Sequence, residues 1–163
     1  MDKITILLTH SPKIGSWLIR KKTKSEFSHT AVYFQNGRVL ESAFKNGVAF
    51  TTLPKFLSHH SFVIAIHIDT NRADKLYRAG QAEEGKDYDL TAIFGMLVDR
   101  DWQEDDQWFC SELIAYILKV AGLYLEEIAL LDPHAITPQD IWVLLRRKGI
   151  VEVLKGEDKS LVY

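Results

Sequence analysis

Gln107-Trp108-Phe109-Cys110-Ser111-Glu112-Leu113-Ile114-Ala115-Tyr116 carries the chain's single cysteine into the start of an apolar helix. Leu113, Ile114, Ile117, Leu118 and Ala121 recur at helical spacing, and Gly122 ends the run. The spacing places Cys110 at the first turn or one residue before it. There the free N–H groups and the positive end of the helix dipole favour a thiolate over a thiol. The backbone N–H of Cys110 or its neighbour can also receive a developing oxyanion. A lone cysteine is more often a small buried apolar residue, and on this stretch alone that reading is the better one. A histidine motif much earlier in the chain changes the balance.

Length and composition bound the answer. A chain of 163 residues is one domain's worth, so a single domain over 1–163 is expected, with a loose polar tail after about residue 156. A net charge of −2 gives no general attraction to nucleic acid, and none is expected as a partner. One cysteine excludes an internal disulfide and a cysteine-based zinc site, and it fits a reducing compartment. The N-terminal apolar run is too short for a signal peptide, and no segment approaches the length of a membrane span. The expectation is a cytoplasmic protein, with phage-associated export as the other route open to it.

Outward from the cysteine helix, the N-terminal half reads as strands. Lys3 to Thr9 is the first, and Ser11-Pro12 breaks it. Ile14 to Arg20 reads as a short helix, followed by the basic cluster Arg20 to Lys24. Phe27 to Phe34, Arg38 to Phe44 and Val48 to Thr52 form a meander with turns at Gln35-Asn36-Gly37 and Lys45-Asn46-Gly47. Lys55 to Leu57 is a short connecting segment. Ser61 to Ile68 is nearly continuous in apolar residues, which suits a central strand buried on both faces. A helix capped by Asn71 runs to about Glu83, and Gly85 to Asp89 reads as a loop. Leu90 to Val98 is helical or irregular. Beyond the cysteine helix, Thr137-Pro138 begins another helix that Gly149 stops, and Ile150 to Leu154 is a last strand. The sum is an α+β domain, an antiparallel sheet packed against helices.

His29 lies in the second strand between Ser28 and Thr30, where a histidine is usually structural. A cysteine hydrolase needs a base beside the sulfur and a third polar group that orients the base. Glu41 on the return strand is the candidate, since a carboxylate amid Val39, Leu40, Ala43 and Phe44 needs a partner. Register tests it. A two-residue Asn36-Gly37 turn puts Glu41 opposite Val32 and on the other face from His29. A three-residue turn with Gly37 left-handed pairs Phe34 with Arg38, sets Glu41 opposite Ala31, and brings Glu41 to the face of His29. The sequence permits both turns.

Phe27-Ser28-His29-Thr30-Ala31-Val32, Leu40-Glu41-Ser42, Gly85-Lys86-Asp87-Tyr88-Asp89, Trp108-Phe109-Cys110-Ser111-Glu112-Leu113 and Thr137-Pro138-Gln139-Asp140 occur in this order. Together they resemble the circularly permuted branch of the NlpC/p60 papain-like cysteine peptidases, the YiiX-like group, which also includes relatives of lecithin retinol acyltransferase. The resemblance covers most of the chain. It implies a permuted papain-like fold with the histidine strand ahead of the cysteine helix. It also implies Cys110 as nucleophile, His29 as base and then acid, and Glu41 as the orienting group. Tyr88 and Trp108 would sit beside the substrate cleft, although an aromatic there is more often simple packing. Ser111 and Glu112 are better read as helix starters, Glu112 suiting the positive dipole end.

The chemistry implied is acyl transfer through a thioester, on amide bonds of cell-wall-type peptides. Two alternatives stay open: a lipid-directed acyl hydrolase or acyltransferase, favoured by Arg20 to Lys24 beside Trp17, and a silent binding module on the same scaffold. No cofactor is expected. His59 and His60 are adjacent and so do not share a face as metal ligands would, and His10, His67 and His134 show no ligand spacing. The acidic run Asp99 to Asp106 lacks the glycine and terminal glutamate of a calcium loop. Trp17, Trp102 and Trp142 are expected in core or rim.

Overall fold

The β-branched residues Ile4, Thr5, Ile6 and Thr9, with Leu7 and Leu8, favour the strand β1 (Lys3–His10), and the strands that flank it are the frame of the molecule. The computed structural model describes residues 2–10, 26–43, 46–88, 107–131 and 136–156. β2 (His29–Phe34), β3 (Arg38–Ala43) and β4 (Gly47–Thr52) form the expected meander. β5 (Phe62–Asp69) lies on the other side of β1, and β8 (Ile150–Lys155) closes that edge. The sheet order is β4-β3-β2-β1-β5-β8, and each neighbouring pair is antiparallel. β5 is thus flanked on both sides, as its continuous apolar run requires.

Period-two alternation sorts the strand residues between two clusters. Ile4, Ile6, Leu8, Val32, Phe34, Leu40, Ile64 and Ile66 form the larger one. They pack with Leu76 of α2 (Ala73–Glu83), Leu113, Ile114, Ile117 and Leu118 of α3 (Cys110–Ala121), and Ile141 and Leu145 of α5 (Pro138–Leu145). Each such side chain, fully buried, contributes about 1.5–3 kcal/mol, so α3 is held chiefly by its apolar stripe. Leu7, Ala31, Val39, Val63 and Ala65 form the smaller cluster, around Phe56 of α1 (Leu53–His59). A short α4 (Leu125–Ile128) follows α3.

Several boundaries differ from the sequence reading, each for a local reason. β2 begins at His29 because Phe27 turns into the core against Trp142, ring centres 5.5 Å apart. The segment after Thr52 is a full helix, because the Thr52 hydroxyl accepts from the Lys55 N–H and Pro54 suits a first turn. The cap of α2 is Arg72, not Asn71: the Thr70 hydroxyl accepts from the Arg72 N–H, and the Arg72 carbonyl accepts from Leu76. The expected loop at Gly85 to Asp89 contains β6 (Asp87–Tyr88), which pairs in parallel with β7 (Gln107–Trp108). α5 stops at Leu145, before Gly149. That glycine serves a close approach instead: a Cβ there would lie 2.2 Å from the His67 carbonyl oxygen. Thr137 caps α5 as expected, with Asp140 reaching back to the Thr137 N–H at 2.8 Å.

Candidate active site

Cys110 is the first residue of α3 because Phe109 before it is extended, with φ −74° and ψ 147°. Phe109 is buried, and its N–H donates to Glu112 Oε2 at 3.3 Å. Its carbonyl accepts the first intrahelical bond, from Leu113 at 3.0 Å. Gly122 ends the helix in the left-handed conformation, φ 77°, and the Arg72 guanidinium donates to the carbonyls of Ala121 and Gly122. The buried Cys110 side chain therefore stands where the N–H groups of the first turn have no intrahelical acceptor. Ser111 donates its hydroxyl to the Ile136 carbonyl at 2.5 Å, which ties the start of α3 to the segment before α5.

His29 and Glu41 come from the meander. The turn between β2 and β3 has three residues: Tyr33 pairs with Val39, Gly37 sits at φ 85°, and its N–H donates to Phe34 O. This is the bulged alternative of the two. It sets Glu41 opposite Ala31 and on the face of His29. His29 Nε2 donates to Glu41 Oε2 at 2.8 Å, with side chains only 15% and 19% exposed. The Cys110 side chain lies near enough to the same imidazole to favour its charged form. Glu41 occupies Nε2, so Nδ1 is the nitrogen left for the sulfur.

Electrostatics follow from that chain. Burial alone would disfavour the imidazolium, but the bonds and charges of Cys110 and Glu41 outweigh it and push His29 up to about 10. Burial would likewise raise Glu41. Its bond to His29, and the positive fields of His29, His60 and His59, hold it below the ordinary carboxylate range instead. The arrangement can hold a thiolate–imidazolium pair whose ring is oriented from behind by a carboxylate.

His60, which the sequence reading discounts, stands in the same corner. It follows α1, and its ring lies 5.6 Å from that of His29, nearly parallel at 14°. Phe56, one helical turn earlier, lies 4.5 Å from the His60 ring and 6.1 Å from His29. The side chains that His60 meets from β2 and β3 are distant in sequence, so adjacency to His59 does not bear on them. The i, i+4 spacing of His60 from Phe56 was the usable signal. Ligand atoms of His29, Glu41 and His60 lie within 4.8 Å of one another, so these three side chains can hold a metal ion.

Other sequence candidates fall elsewhere. Tyr88 and Trp108 are register partners in the β6–β7 pair, which brings their backbones together just ahead of Cys110. Their side chains lie outside the described residues, as do those of His10 and His134, Arg20 to Lys24, Trp17, and Asp99 to Asp106 with Trp102. Trp142 is core. His67 joins the Thr5 hydroxyl and Glu152 in a cross-strand chain, at 2.9 Å on each side.

A strand histidine that precedes a helix-start cysteine, on an antiparallel sheet backed by helices, defines a papain-like fold in permuted order. The chain belongs to the permuted papain-like amidases of the YaeF/YiiX, C92 family, whose sequence pattern matches residues 5–156. It is accordingly a thiol hydrolase of the amidase type. Among solved structures, that of the metalloprotein YiiX from Escherichia coli O157:H7 is similar, with a TM-score of 0.65 over 96% of this chain and 97% of that one. At 18% identity this is a likeness of fold. A search among curated proteins finds no match. Among the described residues no helix is long and apolar enough to cross a membrane.

Proposed function

We propose that the chain cleaves an amide bond in a peptide of the cell-wall type, with Cys110 as nucleophile, His29 as acid and base, and Glu41 as the group that orients His29. The observation that carries the reading is the His29 Nε2–Glu41 hydrogen bond at 2.8 Å, on an imidazole whose charged form Cys110 also favours. The thiolate attacks the carbonyl carbon, and the Cys110 N–H at the helix start stabilises the oxyanion. Attack consumes the negative charge that helps hold the proton on His29. The imidazolium becomes more acidic as the leaving nitrogen needs a proton, so the C–N bond breaks with transfer from Nδ1. His29 then takes a proton from water, which attacks the thioester and releases the carboxylic acid.

The lipid-directed alternative draws on Arg20 to Lys24, outside the described residues, and no described feature favours it. The test is the pH dependence of Cys110 alkylation by iodoacetamide in wild type and His29→Ala, followed by a screen of peptide amides and acyl esters. Fast alkylation below the ordinary cysteine pKa of about 8.5, lost in the variant, together with peptide turnover, is expected. Slow alkylation that ignores the substitution makes Cys110 a core residue. Turnover of esters but not peptides moves the substrate to lipid.

A further inference from the structure

The acyl-transfer reading uses Cys110, His29 and Glu41 and gives His60 no part, although His60 closes the same corner from a third element. We propose that His29, Glu41 and His60 bind a divalent transition-metal ion on the Glu41 side of the imidazole, and that the ion-loaded chain is the resting, inactive form of the thiol site. Two imidazoles and one carboxylate, with a fourth position open to water, are a donor set that suits Zn²⁺.

The geometry is close to what an ion needs. The three ligand atoms already lie within 4.8 Å of one another. Two imidazoles on one tetrahedral ion, at about 2.0–2.1 Å per bond, have ring centres about 5 Å apart. The rings of His29 and His60 are stacked 5.6 Å apart at 14°, so His60 must turn its ring edge toward His29 Nε2 to share the ion. Two of the three ligands are fixed beforehand by strand register, Ala31 opposite Glu41. The third is braced by buried Phe56 and by the His60 N–H, which donates to Leu57 O.

The ion takes the Nε2 lone pair that now carries the proton shared with Glu41. That proton leaves to solvent, and Glu41 exchanges its hydrogen bond for coordination. The remaining proton resides on Nδ1, facing the sulfur. An imidazole with a metal on one nitrogen and a proton on the other has no basic lone pair left. It can receive a proton neither from the thiol nor from water, so acylation and release both stall until the ion leaves.

The experiment is calorimetric titration of the metal-stripped chain with ZnCl₂, with Co²⁺ absorption as a second readout. Expected are one ion per chain and an affinity that falls at least about tenfold in His60→Ala and is unchanged in Cys110→Ala. Co²⁺ should give visible d–d bands without a near-ultraviolet thiolate charge-transfer band. His60→Phe keeps a ring against Phe56 while removing the nitrogens, so the same loss there, with an unchanged melting temperature, excludes misfolding as the cause. A charge-transfer band, or loss of binding in Cys110→Ala, places the ion on the sulfur and overturns the proposal. Undiminished affinity in both His60 variants places it elsewhere on the chain and also overturns it.

Discussion

Ala31 and Glu41 face each other across β2 and β3, and that pairing is what carries the Glu41 carboxylate to the side of the sheet where His29 waits. It depends on one residue of turn length. A one-residue slip would turn Glu41 to the opposite face and drive Leu40 out of the core, so burial of Val32, Val39 and Leu40 defends the register independently of the turn. Gly37, at φ 85° with nothing near its missing Cβ, contributes only backbone freedom. Gly37→Ala should therefore cost about 1–2 kcal/mol of left-handed strain, seen as a lower melting temperature. Cys110 alkylation should keep its wild-type rate. A rate that fell with the stability would mean that the turn alone sets the register.

Ser111 sits beside the nucleophile, and its role is separable from chemistry. Its hydroxyl is spent on the Ile136 carbonyl, and both residues are buried. Ser111→Ala leaves that carbonyl without its donor and should destabilise the chain by about 1–3 kcal/mol in denaturant titration. Turnover per folded molecule should be unaffected. A fall in kcat at unchanged stability would assign Ser111 to the reaction instead.

Much of this was legible in the sequence because it is local. The apolar spacing from Leu113 to Ala121 and the glycine behind it predict α3 and its cysteine, and Thr137-Pro138 predicts α5 with its cap. The hairpin was legible only as two alternatives, since Asn36-Gly37 suits either turn. What chose between them is tertiary burial of the residues around Glu41. The β6–β7 pair was invisible because two residues carry no period, and parallel partners far apart in the chain leave no turn signal. The place of His60 beside His29 was illegible for a related reason. Neighbours in sequence say nothing about side chains that arrive from β2 and β3.

Gly149 lies beyond the end of α5 and against β5, and that place makes a sharp prediction. The residue passes over β5 so closely that any Cβ would meet the His67 carbonyl carbon and oxygen, at 3.0 and 2.2 Å. Backbone cannot yield as a flexible side chain does, so Gly149→Ala must displace the start of β8. A loss of about 1–3 kcal/mol is expected in denaturant titration, the usual cost of overpacking. Amide exchange should quicken along β8, the edge strand, more than along β1. Uniform protection in the variant would show that the edge absorbs the methyl without moving.

Glu41 gives the pH test, carried out with chelator present so that protons alone compete for His29. The folded chain holds the His29 proton up to about 10, against 6.5 for the free side chain. A pKa raised on folding contributes stability that is complete below 6.5 and is lost as pH rises through about 10. Glu41, held low, contributes above its ordinary value of 4.5 and loses that contribution as pH falls through its depressed folded value. Glu41→Gln keeps an oxygen that can accept from Nε2 but removes the charge. The alkaline limb of Cys110 alkylation should therefore move down by about 1–3 pH units, while the rate at neutral pH falls only modestly. Glu41→Ala removes orientation as well, and its rate should fall at every pH. The split between the two variants separates charge from aim. Identical profiles for wild type and Glu41→Gln would show that Cys110 alone holds the proton on His29, and would leave Glu41 outside the reaction.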